Sequence, residues 1–92
     1  MDCDKILIAD ADKNNAELIS IKLSNAGYVL FTATDGEMTL EKVVNNRPDL
    51  MLISFDLPGK TSLEVCYELR NNPNFANLPI ILMVDRNFDE AQ

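Results

Sequence analysis

The sequence predicts an α/β domain with a doubly wound parallel sheet, its elements running β-α-β-α-β-α-β. Three observations carry that expectation. Short apolar runs without polar breaks, the pattern of strands buried on both faces, recur along the chain. Between them lie segments with apolar side chains at helical spacing. Capping residues, glycines and prolines punctuate the boundaries. Strands alternating with helices of ten or more residues imply parallel pairing through right-handed crossovers, with helices on both faces of the sheet.

Ile6-Leu7-Ile8-Ala9 is the first strand. Residues 14–26 form the first helix, with Ala16, Ile19, Leu23 and Ala26 on one face. Asn14 and Glu17 make an Asx-x-x-Glu start signal, and Gly27 stands where a left-handed C-terminal residue belongs. Residues 28–33, rich in aromatic and β-branched side chains, are the second strand. Asp35-Gly36 turns the chain into a second helix with Leu40, Val43 and Val44 on its inner face. Asn45-Asn46-Arg47-Pro48 ends it, because the residue before proline is pushed out of the helical region. Leu50-Met51-Leu52-Ile53 is the third strand, and residues 55–60 are a loop. Thr61 and Glu64 form a capping box for a third helix carrying Leu63, Cys66 and Leu69, which Asn71-Asn72-Pro73 stops. Residues 79–84 are the fourth strand.

Composition sets the outer bounds. The 92 residues, 47% apolar and 25% charged, describe a single globular domain over residues 1–92. Eight basic against 15 acidic residues leave a net charge of −7, which repels phosphate backbones and anionic lipid, so nucleic acid and membrane are poor partners. The absence of histidine closes Ser-His-Asp and Cys-His catalysis, His-rich zinc sites and phosphohistidine carriage within this chain. Cys3 and Cys66 read as free thiols of a reducing compartment. Met1-Asp2-Cys3-Asp4 is not a signal peptide, and the apolar runs are far shorter than the ~20 residues that span a bilayer. Cytoplasm is the expected location.

Ligands of open parallel sheets bind beyond the carboxyl ends of the strands, where the winding reverses. If the first and third strands are central neighbours, their following loops bring Asp10, Asp12, Ser54 and Asp56 to that crevice. Three carboxylates and a hydroxyl suit a hard cation such as Mg²⁺; the same acids also serve as helix N-caps and solvated loop residues. The first strand-to-helix turn, Asp10-Ala11-Asp12-Lys13-Asn14, has no glycine, so a Rossmann-type phosphate cradle is missing.

Lys5-Ile6-Leu7-Ile8-Ala9-Asp10 resembles the opening strand and first acid of a response-regulator receiver domain, a module of bacterial two-component (phosphorelay) signalling. Asn25-Ala26-Gly27-Tyr28 and Ala33-Thr34-Asp35-Gly36 resemble that family's turns into its second strand and second helix. Pro48-Asp49-Leu50-Met51-Leu52-Ile53, Leu57-Pro58-Gly59, Leu63-Glu64-Val65-Cys66 and Leu78-Pro79-Ile80-Ile81 are similar to its later elements in order. The resemblance spans essentially the whole chain and implies the flavodoxin-like receiver fold. It also implies a signalling role without enzymatic activity, with protein partners such as a signalling kinase or an effector domain.

Several positions depart from what the resemblance implies. Receivers accept a phosphoryl group on an aspartate at the end of the third strand, and Ser54 stands there. The second acid of the pair after the first strand, a direct metal ligand, is Ala11. The switch hydroxyl after the fourth strand aligns with Val84, and its small neighbour with Asp85. Asp10, Asp12 and Asp56 remain as an acidic pocket, weak candidates for Mg²⁺ once two oxygen donors are gone. The expected role is therefore that of a pseudo-receiver acting by protein–protein interaction without phosphorylation and without a cofactor. The alternative is an active Mg²⁺-dependent phosphoacceptor that uses Ser54 or a neighbouring aspartate.

By the same resemblance the sequence stops before a fifth strand and helix, so an incomplete receiver, cut from a longer chain, is expected. The apolar fourth strand then becomes a sheet edge open to self-association. Phe88 would belong to a following helix start, and Phe55 and Leu57 would pack over the crevice. Cys66 reads as a small core residue.

Overall fold

The computed structural model describes residues 4–84. Its elements are β1 (Lys5–Ala9), α1 (Lys13–Asn25), β2 (Val29–Ala33), α2 (Gly36–Asn46), β3 (Leu50–Ser54), α3 (Ser62–Arg70) and β4 (Ile80–Met83). The four strands are all parallel and lie in the order β2-β1-β3-β4. The chain winds outward from β1 to β2, then returns past β1 to β3 and β4, which is the doubly wound arrangement the alternation predicts. The reversal falls between β1 and β3.

Strand alternation divides the core between the two faces. Leu7 and Ala9 of β1 and Met51 and Ile53 of β3 point to one side, where they meet Val43 of α2 and Val65 and Leu69 of α3. Ile6 and Ile8 point to the other side, onto Ala16 of α1, with Ile19 and Leu23 packed around them. From Ile6 onward β1 is buried on both faces. In β3 the side chains alternate instead: Met51 and Ile53 are buried, while Leu50 and Leu52, on the α1 side, are half-buried. Among the described residues β4 pairs only with β3, and its Ile81 and Leu82 are exposed.

The helix ends show where local chemistry overrode the expected signals. Helix α1 starts a residue earlier than Asn14: Asp12 is its N-cap and accepts from the backbone N–H groups of Asn14 and Asn15. Asp12 can do so because its own N–H is already held by the Asp10 carboxylate, which sets the chain direction. Ala26 is the exposed C-cap and not part of the inner face. Gly27 takes the expected left-handed conformation at φ 103°. Helix α2 ends at Arg47, a non-glycine residue at φ 47° whose N–H bonds the Val43 carbonyl at 3.0 Å. Its guanidinium lies 5.5 Å from the centre of the Phe75 ring, a cation–π contact that helps offset the left-handed strain.

Two inner faces are rotated from the sequence expectation. In α2, Thr39 is fully buried and Val44 faces out, because Thr39 Oγ1 donates to the Asp35 carbonyl at 2.7 Å and enters the core with its polar atom satisfied. In α3, Ser62 and Val65 are buried and Leu63 is exposed; Ser62 Oγ donates to the Phe55 carbonyl at 3.0 Å. Periodicity reads a hydroxyl as polar and outward, whereas a local carbonyl partner lets it turn inward. The capping box at Thr61 and Glu64 forms as expected, with both reciprocal bonds present. Asp85 and Phe88, like Cys3, lie outside the described residues.

Candidate functional site

The reversal between β1 and β3 opens a cleft of about 360 Å³ at the carboxyl ends of the strands. Asp10, Ala11, Asp12, Asn15, Ser54, Asp56, Met83 and Val84 line it. The register explains the gathering. Ala9 pairs with Ile53, so the next residues, Asp10 and Ser54, leave adjacent strand tips together. Ser54 pairs in turn with Met83, which brings the end of β4 to the same mouth. Backbone bonds continue past the strands, from Asp10 N–H to the Ala33 carbonyl and from Phe55 N–H to the Met83 carbonyl, each 2.9 Å. The cleft thus unites all the sequence candidates among the described residues.

Asp10 is buried, with 6% of its surface exposed. A carboxylate so placed needs its oxygens satisfied. Oδ1 accepts from the Asp12 backbone N–H at 2.9 Å, and Oδ2 accepts from the Asn15 side-chain amide at 2.6 Å. Asp12 is exposed, and its Oδ1 accepts from Asn14 N–H at 3.0 Å and Asn15 N–H at 3.2 Å. That places a negative charge on the positive end of the α1 dipole, a favourable arrangement for a cap. Asp56 is exposed in the loop after β3, and Ser54 is half-buried at the strand tip. Among the described residues no three Asp, Glu, Cys or His side chains converge closely enough to hold a metal ion. Asp10 and Asp12 turn carboxylate oxygens toward N–H groups of the chain itself, while Ala11 and Ser54 bring a methyl and a hydroxyl to the cleft wall.

Sequence reasoning missed Asn15 and Met83. Met83 follows only from strand pairing. Asn15 carried a signal: a polar residue in the first turn of a helix can fold its side chain back toward the preceding strand end.

The loop that carries Asp56 is fastened to α2. Gly36 N–H donates to the Pro58 carbonyl at 3.2 Å, and Lys60 N–H donates to Glu37 Oε1 at 3.4 Å. Lys60 also pairs with Glu68 of α3, which raises the ammonium pKa above its ordinary value. Neither Phe55 nor Leu57 lines the cleft, contrary to expectation: Leu57 is buried in the core with Val43 and Val65, and Phe55 is partly exposed at 37%. Cys66 is half-buried on α3; desolvation pushes its thiol pKa up, and nearby Arg70 only partly opposes this. No helix among the described residues is long and apolar enough to cross a membrane.

Comparison with known proteins places this architecture. The response regulator receiver domain family matches residues 6–91. The chain is 33% identical over 87 residues to the alkaline phosphatase synthesis transcriptional regulatory protein PhoP of Bacillus subtilis (strain 168), covering 95% of this chain and 36% of that protein. It therefore spans about a third of the length of that curated relative. Among solved structures it resembles the chemotaxis response regulator CheY4 of Vibrio cholerae, with TM-score 0.83 and 27% identity over 88% of this chain and 68% of that one. The receiver domain of a Francisella response regulator is similar to the same degree, TM-score 0.83 and 27% identity, over 96% of this chain and 71% of that one.

Proposed function

We infer the role of the cleft from one premise: the chain belongs to the response regulator receiver family. Receiver domains are signalling modules of two-component systems, and this chain has their parallel sheet and their strand-end cleft. We propose that it signals by protein–protein interaction, with a kinase or an effector domain as partner, and without phosphorylation of the cleft. It is proposed to need no cofactor and to catalyse no reaction of its own.

The observation that carries this reading is the chemistry of the cleft wall. Ser54 occupies the strand tip where an acyl phosphate would need a carboxylate. A serine hydroxyl requires an adjacent general base to become a nucleophile. The buried carboxylate at the neighbouring strand tip, Asp10, already accepts two hydrogen bonds from within the chain. Ala11 adds no metal donor, and Val84, at the cleft mouth, has no hydroxyl to bind a phosphoryl oxygen.

Intact-mass spectrometry and amide NMR after incubation with Mg²⁺ and acetyl phosphate or beryllofluoride test the proposal. The expected result is an unmodified mass and unchanged amide shifts around Ser54. A phosphoryl adduct on Ser54 or on a neighbouring aspartate would overturn it in favour of an active, Mg²⁺-dependent acceptor.

A further inference from the structure

We propose that Asn15 is a positioning residue that stands in for a cation: its amide satisfies the second oxygen of Asp10, so the cleft keeps its shape without a divalent ion. This deepens the reading above and rests on it, since it explains how a receiver cleft persists once metal-dependent switching is gone.

The support is a closed ring of hydrogen bonds at the tip of β1. Asp10 Oδ1 accepts the Asp12 N–H, Asp12 Oδ1 accepts the Asn15 N–H, and the Asn15 side chain returns to Asp10 Oδ2. Each member orients the next. Asp12 is aimed by Asp10 and fixes the start of α1, and that start carries the Asn15 amide to the buried carboxylate. The closing bond is 2.6 Å long. Asp10 is only 6% exposed, so its carboxylate draws on donors from within the chain. The amide takes up one of the acceptor sites that a cation would use on that oxygen, and the adjacent Ala11 side chain adds no ligand. A carboxylate at position 15 could not close the ring, because it would set a second negative charge against Asp10.

Mn²⁺ is the probe, titrated into the whole chain and followed by electron paramagnetic resonance of the free ion, with thermal unfolding measured in parallel. Wild type is expected to show no saturable uptake in the millimolar range. Asn15→Ala is expected to bind about tenfold more Mn²⁺ at a given free concentration, the factor equivalent to releasing one charge-assisted hydrogen bond. The exchanged pair, Asp10→Asn with Asn15→Asp, rebuilds the amide–carboxylate bond in the opposite sense. It should recover the melting temperature that each single substitution loses.

A purely structural Asn15 would lower the melting temperature of Asn15→Ala and leave Mn²⁺ uptake unchanged; that result overturns the inference and leaves the proposed function standing. Should Asn15→Ala not fold, Mn²⁺ uptake by the milder Asn15→Ser decides, and uptake no greater than that of wild type overturns the inference. Mn²⁺ uptake by wild type equal to that of Asn15→Ala overturns it as well. A metal-dependent beryllofluoride adduct on wild type would instead refute the reading on which it rests.

Discussion

Replacing Gly36 with alanine sets two opposing effects against each other at one position. In a helix, glycine to alanine is stabilising by up to about 1 kcal/mol, and Gly36 is the first residue of α2. Yet a Cβ there would stand 2.0 Å from the Lys60 carbonyl oxygen and 2.7 Å from that residue's carbonyl carbon and Cβ. These atoms are backbone or its root, so they cannot swing aside as the end of a long side chain would. The loop between β3 and α3 must retreat by more than an ångström, an overpacking strain of about 1–3 kcal/mol. Its retreat also breaks the bond from Gly36 N–H to the Pro58 carbonyl, worth about 1 kcal/mol. After the helical gain is subtracted, Gly36→Ala should destabilise the domain by about 1–3 kcal/mol, a fall in melting temperature of roughly 10 °C for a chain of this size. Urea unfolding followed by circular dichroism measures it, with the denaturant slope expected to stay constant because the surface exposed on unfolding is the same. A variant as stable as wild type, or more so, would show that α2 and the loop do not hold each other as described.

Ser54→Asp alone is expected to leave Mg²⁺ affinity unchanged by calorimetry, since Ala11 still lacks a carboxylate and Asp10 stays engaged; Ala11→Asp with Ser54→Asp should bind the ion. Leu7, fully buried in the central strand, should cost about 3 kcal/mol as Leu7→Ala in chemical denaturation. Asp49 accepts backbone N–H bonds from Lys5 and Asp4, which hold its carboxyl below the ordinary 3.8. Its contribution is therefore complete above the ordinary 3.8 and is lost as pH falls from there through the lowered folded-state pKa, so Asp49→Asn should flatten the acid limb of a melting-temperature profile. The Cys66 thiol, raised by burial, should react with iodoacetamide more slowly than a free cysteine at neutral pH; equal rates would show that it is not shielded.

Much of the fold was legible because it is written in local pattern. The unbroken run at β1, the capping box at Thr61 and Glu64, and the stop before Pro48 each depend on neighbours a few residues away. The misplaced inner faces of α2 and α3 arise where Thr39 and Ser62 satisfy their hydroxyls on carbonyls at 2.7 and 3.0 Å and so become core residues. The pocket candidates could be named in advance because a parallel sheet places them at the carboxyl ends of adjacent strands. Asn15 escaped notice because its role lies in the direction of one side chain, which spacing does not specify.

From the amino-acid order alone came the alternation of strands and helices, the acidic charge, the absence of histidine, and the presence of Ala11 and Ser54 just after apolar runs. Those properties are sums or short-range patterns, and they are already present in the unfolded chain. Only tertiary structure decided how the remaining acids are used. Folding buries Asp10, directs Asp12 into the end of α1 and brings Asn15 back onto Asp10. Whether a carboxylate faces a cation or a neighbouring N–H is set by packing and orientation, and these exist only once β1, β3 and α1 have come together.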